Sequence, residues 1–429
     1  MIPVTMNTPP HVAAGSVTAR MRRMLGRNPR EHGRAATPLE LLFDLTFVVA
    51  FGIAGSQMAH EIAEGRLAVG LGGFAFGMFA IIWAWINFSW FASAFDTDDW
   101  VYRLTTMVQM AGVLVLALGL SDVFHSLEDG HGIDNTVVVA GYVIMRVAML
   151  AQWLRLAAQS PAHRRTALIY ATFIAIAQIG WVATAVLHLE LGPTLAFAAV
   201  LYLIELGGPL LAERRHPTPW HPHHIAERYG LLVLIALGEG VLGTVTAVQP
   251  IIAASGWSGD AIVLVAAGVI LTFGMWWAYF AVPFGHLLEH RPGGGFVFGY
   301  LHMLVFAAVA AAGAGLHVGA YVVEGQAHVD FAVAVQIVAI AVAVFLTTYL
   351  AVAATLTRRV RRAHAVALTL GLVVLAAAVV LAEIGTSFAL SILLVAAAPW
   401  VVVVGEELTA GRSAAASGHS ERGTAAAGD

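Results

Sequence analysis

The chain has 429 residues, 59% hydrophobic and 11% charged, with a formal net charge of −4. A soluble globular chain averages roughly 45–50% apolar and about 25% charged residues, so this composition excludes that class and points to a membrane protein. No cysteine is present, which removes disulfides, thiolate metal sites and thiol nucleophiles, and the near-neutral charge leaves no electrostatic footprint for nucleic acid.

The first stretch, 1–37, is polar and carries Arg20, Arg22, Arg23, Arg27, Arg30 and Arg34. It holds no apolar h-region and reads as a disordered cytoplasmic tail, not a cleaved signal peptide. A bilayer core of roughly 30 Å needs about 20 apolar residues per helix. That ruler finds twelve spans, near 39–61, 68–91, 102–120, 136–157, 167–187, 193–212, 229–249, 260–282, 297–320, 330–353, 364–382 and 386–405. The runs are continuous and long, so they are helices and not the short alternating strands of a barrel. The expected fold is all-α: a polytopic membrane protein of about twelve transmembrane helices in two six-helix repeats, 38–212 and 229–406. A His-rich cytoplasmic loop, 213–228, joins the two bundles, and the Ala/Gly/Ser-rich stretch 407–429 is expected as a second disordered cytoplasmic tail.

All 22 basic residues are arginines, and their placement tests the helix count. Short cytoplasmic loops collect positive charge. With the N-terminus inside, twenty arginines fall in cytoplasmic segments, Arg66 falls in an external loop, and Arg146 lies within the fourth span. The expected location is therefore the plasma membrane, with both termini in the cytoplasm. Arg164-Arg165 precedes the fifth span and Arg361-Arg362 the eleventh, while Trp85-Ile86-Asn87-Phe88 in the second is echoed by Trp277-Ala278-Tyr279-Phe280 in the eighth. These echoes point to parallel six-helix repeats. Small residues at Gly73/Gly77, Ala236/Gly240/Thr244 and Ala311/Gly315/Gly319 read as faces where helices pack closely.

Asp44, Arg146, Glu205 and Glu239 lie inside spans, where each charge costs roughly 2.5–3.5 kcal/mol at a helix centre. They must be partnered, protonated or wet. The reading is one polar seam between the bundles, an ion or proton path in which Arg146 neutralises one carboxylate and the others share protons. Glu40, four residues before Asp44 on the same helix face, follows the start signal Thr37-Pro38 and reads first as a helix-dipole partner beside that path. Glycines on either side of Glu239 leave its carboxylate approachable. Asp96, Asp98 and Asp99 read as N-terminal charges of the third span, with Arg103 paired to Asp99; the alternative is a Mg²⁺ ligand set in a membrane enzyme acting on a phosphorylated lipid. His224 and Glu227 share a face at i, i+3, but three prolines and the lack of a further ligand argue for a capping loop and against zinc. His60, His302 and His317 read as packing residues. No metal or cofactor is expected. Partners are membrane lipids and a small ion or solute, with a homo-oligomer left open.

Leu39-Glu40-Leu41-Leu42-Phe43-Asp44-Leu45-Thr46-Phe47-Val48 resembles the E-L-F-F-D-L-x-F-V opening of the bacterial low-temperature-requirement A family. Phe95-Asp96-Thr97-Asp98-Asp99-Trp100-Val101-Tyr102-Arg103 resembles its second signature. His224-Ile225-Ala226-Glu227-Arg228-Tyr229-Gly230-Leu231, followed by Leu237-Gly238-Glu239, resembles its third, H-x-x-E-R-x-G-L…L-G-E. Leu42 stands where the family often has a second phenylalanine, and Gly240 where serine is common. The resemblance covers roughly 35–405 and implies a multipass membrane protein linked by name to growth in the cold, with no settled biochemical activity. Residues and resemblance together lead to a transport-like protein coupled to ions or protons through buried carboxylates. The enzyme alternative is weakened by the corresponding second-half loop, His286-Leu287-Leu288-Glu289-His290-Arg291, which has no aspartate cluster.

Overall fold

Thr37 and Glu40 open the first helix with a reciprocal cap. The Thr37 hydroxyl accepts from the Glu40 N–H at 3.3 Å, the Glu40 carboxylate accepts from the Thr37 N–H at 2.8 Å, and Pro38 stands in the first turn. The structure, a computed structural model, describes residues 21–130, 132–214 and 216–425, with side chains described as far as residue 408. Among these it is all-helical: α1 Pro38–Ala63, α2 Leu67–Phe95, α3 Trp100–Leu118, α4 Leu120–Asp129, α5 Thr136–Gln159, α6 Arg164–Leu187 and α7 Leu191–Ala212. The second half holds α8 Pro222–Ser255, α9 Gly259–Phe280, α10 Phe284–His290, α11 Gly295–Val323, α12 Phe331–Thr357, α13 Arg362–Glu383 and α14 Phe388–Ala425. Among the described residues twelve segments are long and apolar enough to cross a bilayer, with α3–α4 and α9–α10 each counting as one.

The connections sort onto two opposite ends. At one end, Arg66 pairs with Glu128 at 3.3 Å, the His328 N–H donates to the Ala63 carbonyl at 2.6 Å, and Asn135 donates to Thr184 at 3.1 Å. At the other end, residues 21–37 run across the termini of α2, α3 and α5 and the α7–α8 connection. The Arg22 N–H donates to Asp99 at 3.0 Å, the Met24 N–H to Gln159 at 2.7 Å and the Arg27 N–H to the Ala94 carbonyl at 2.9 Å, while His221 Nε2 lies 2.9 Å from the Glu31 carbonyl. Only an alternating, even-numbered threading brings those segments together.

This end corrects two expectations. The stretch 1–37 is not a free tail over its described part: Met24 is fully buried, and Arg27 and Arg34 lie 3.7 and 3.8 Å from the Asp96 carboxylate. A buried carboxylate needs cations, and the arginines of this strap supply them. The histidine-rich loop ends at His221, so Arg228 belongs to α8 and leaves the tally of loop arginines. The two halves of the chain share a core, because α1 packs on α2 and α3 of the first half and also on α8 and α11 of the second. The expected packing face on α2 is present. A Cβ at Gly73 or Gly77 would come within 2.6 or 2.7 Å of the side chains of Phe124 or Leu120, so the glycines let α4 lie close on α2 without moving them.

Candidate functional site

The i, i+4 pair Glu40 and Asp44 on α1 meets a second i, i+4 pair, His224 and Arg228, on α8. Each pair presents one helix face, and the two helices run parallel. Arg228 grips Asp44 with two nitrogens at 2.5 and 3.2 Å and lies 3.0 Å from Glu40. His224 lies 3.3 Å from Glu40, and the Trp85 indole N–H donates to Asp44 at 2.6 Å. The guanidinium also sits 5.6 Å from the Trp85 ring, and all four charged or imidazole side chains are buried. Phe43 packs beside this cluster with its ring 3.9 Å from that of Phe88.

A second cluster joins α5 and α7. Arg146 is ion-paired with Glu205, donates to the Tyr142 hydroxyl at 2.7 Å and lies 4.9 Å from the Tyr142 ring. Glu205 further accepts from Tyr142 at 3.0 Å and from the Trp83 indole N–H at 2.8 Å. Trp83 and Trp85 are two residues apart on α2, about 200° around the helix, so the two clusters lie on opposite sides of it. The expected single seam around Arg146 is therefore not formed. Asp44 takes Arg228 as its partner, and Arg146 serves Glu205. Glu239 joins neither: its half-buried carboxylate faces α1, where a Cβ at Gly52 would lie 3.1 Å from it, and makes no ion pair or hydrogen bond among the described residues.

The acidic turn before α3 is divided among different arginines. Asp98 pairs with Arg103 at 2.8 Å, correcting the expected Asp99–Arg103 contact. Asp99 caps α3 by accepting from the Tyr102 N–H at 2.9 Å and binds Arg155. Burial disfavours charge on Asp99, but Arg155 and the two backbone N–H groups hold its carboxyl down to about 2. Burial and the Glu40 carboxylate push Asp96 up to about 6 against the pull of Arg34 and Arg27. Three carboxylates committed to three separate partners do not form a Mg²⁺ ligand set. His224 and Glu227 also diverge, His224 buried on Glu40 and Glu227 exposed. The donors placed to share a metal are instead His223 of α8 with His286 and Glu289 of α10, all within 4.8 Å of one another. His302 is a packing residue, bonded to Tyr279 at 2.9 Å and to the Phe298 carbonyl at 2.7 Å.

Between α2, α5, α6, α7 and α11, at the end crossed by residues 21–37, lies a cavity of about 390 Å³. Trp83 forms part of its wall, so one side chain touches both the cavity and Glu205. Pro209 of α7 also lines it. Having no N–H, Pro209 frees the carbonyl of Glu205, and the next carbonyl, Leu206, accepts from Tyr300 at 2.7 Å. Glu213, just past α7, is the acidic group of the wall; it accepts from Tyr170 at 2.9 Å and from the Thr218 N–H and hydroxyl at 2.6 and 2.9 Å. Burial pushes its carboxyl above the usual range. Sequence reading missed Glu213, Trp83 and Tyr142. The available signal was the density of aromatic residues in α2, where Trp83, Trp85 and Trp90 fall within eight positions.

Residues 35–399 match the family described as Bacterial low temperature requirement A protein (LtrA). An uncharacterized protein of Rhizobium meliloti (strain 1021) is 25% identical over 280 residues, which cover 63% of this chain and 64% of that protein. The chain thus spans just under two thirds of the relative it matches. No solved structure matches.

Proposed function

The chain belongs to the bacterial low temperature requirement A family, and from that premise we propose that it is a transport-type protein of the plasma membrane, coupled to ions or protons through buried carboxylates. The observation that carries this reading is Trp83, which walls the 390 Å³ cavity and donates to Glu205 of the Arg146 pair. A ligand entering the cavity presses on the side chain that holds an intramembrane ion pair. The same helix carries Glu205 and, one turn on, Pro209, whose missing N–H removes one backbone bond of the helix without ending it. Polar groups left without partners beside the pair extend the path. Arg146 Nε and Nη1, Trp181 Nε1 and the Tyr202 hydroxyl are buried with no hydrogen bond among the described residues. Each dry orphan costs about 1–3 kcal/mol, so water belongs among them.

Glu239 is the second coupling carboxylate. Among the described residues no cation pairs with it, which leaves it to take a proton or an inorganic cation, and it lies on the α1–α8 side of the molecule. Membrane lipids cover the apolar outer faces. The arginine-rich connections support a cytoplasmic side for the end that carries residues 21–37, and the parallel α1–α8 pairing supports descent from two six-helix repeats. Purified protein in liposomes, given pH or salt jumps on a solid-supported membrane, tests the coupling. Glu239→Gln keeps the shape and should abolish the current, with the protein still folded. Currents no larger than those of empty liposomes, or unchanged in both Glu239→Gln and Glu205→Gln, would overturn the reading.

A further inference from the structure

The cavity's wall states what kind of ligand it takes. Eight of its eighteen lining residues are aromatic, one is a carboxylate, Glu213, and none is arginine, lysine or histidine. Building on the transport reading, we infer that this cavity binds organic cations: a substituted ammonium carried on a small apolar body.

Charge decides against anions. A phosphate or carboxylate would meet Glu213 and the negative faces of the rings, with no basic side chain of the wall to receive it. Small inorganic cations fare little better. Glu213 is already occupied by Tyr170 and Thr218, so it cannot replace the hydration shell that a compact ion gives up on entry. A substituted ammonium is weakly hydrated and is attracted to ring faces, which is how aromatic cages select it. The rings stand as such a cage requires. Trp90 and Trp220 meet at 67° with centroids 4.8 Å apart, and Trp83 and Tyr300 at 74° and 5.5 Å, so adjacent walls turn different edges and faces inward. The cavity volume falls within the range of small-molecule sites, roughly 300–1,000 Å³.

Trp153 belongs to the same wall, and its ring is held in place by stacking on Tyr170 at 4.1 Å and 5°, which fixes that side of the cage.

Benzoylcholine combines the cation and the apolar body, and 3,3-dimethylbutyl benzoate is its uncharged isostere. Titration of each into the purified full chain in detergent, read by calorimetry and tryptophan fluorescence, tests the assignment without any transport step. The expected result is saturable binding of benzoylcholine, weaker by about tenfold or more for the neutral isostere and for Glu213→Gln. Trp220→Leu should weaken it similarly and decides the matter if Glu213→Gln does not remain monodisperse. Equal binding of cation and isostere, or no binding at all, refutes the organic-cation site. Intact, cation-selective binding without any ion current leaves this site standing and removes the transport reading instead.

Discussion

Arg228 and Arg146 each hold a buried carboxylate, but their surroundings differ. Arg228 faces Glu40 and Asp44 together, with His224 also against Glu40, whereas Arg146 faces Glu205 with a tyrosine and a tryptophan completing the carboxylate's bonds. Removing one member of a buried pair leaves an uncompensated charge and costs about 3–5 kcal/mol. Arg228→Gln strands two carboxylates and should lower the detergent unfolding midpoint more than Arg146→Gln. Asp44→Asn combined with Arg228→Gln should recover part of the loss. If the double variant is no better than Arg228→Gln alone, the two side chains are not energetically coupled.

At the scale of elements, the strap of residues 21–37 and the α2–α3 turn stabilise each other through opposite electrostatics. Asp96, raised to about 6, holds its proton more tightly when folded than the 3.8 of a free side chain. Its contribution to stability is full below about pH 4 and is lost as pH rises through about 6. Asp99, lowered to about 2, does the reverse: its contribution is present above about pH 4 and is lost as pH falls toward 2. Asp96→Asn should therefore flatten the decline in unfolding midpoint between about pH 4 and pH 6, while Asp99→Asn should lower the midpoint at pH 7. A wild-type midpoint that does not change over that interval would show that Asp96 is not held protonated by its surroundings.

The whole molecule makes a prediction about sidedness. The chain lacks cysteine, so single cysteines report their own exposure. Positions 30 and 216 should label only from the cytoplasm and position 129 only from outside. Periplasmic labelling at 216 would break the alternation on which the arrangement of spans depends. Sequence alone determined the helical class, the number of spans and the motif positions, because covering a backbone in lipid demands long apolar helices whatever their neighbours. Capping was equally local: Thr37 and Asp99 start their helices through bonds reaching three residues along the chain. Partnership was not local. The carboxylates at 44 and 205 were recognisable as costly, yet either arginine could have served either one. Helix rotation and the start of α8 at Pro222 decided between them, by carrying Arg228 six residues inside the span and turning Trp83 and Trp85 to opposite sides of α2. The cavity belongs wholly to tertiary structure, since its wall is drawn from helices and connections that only packing brings together.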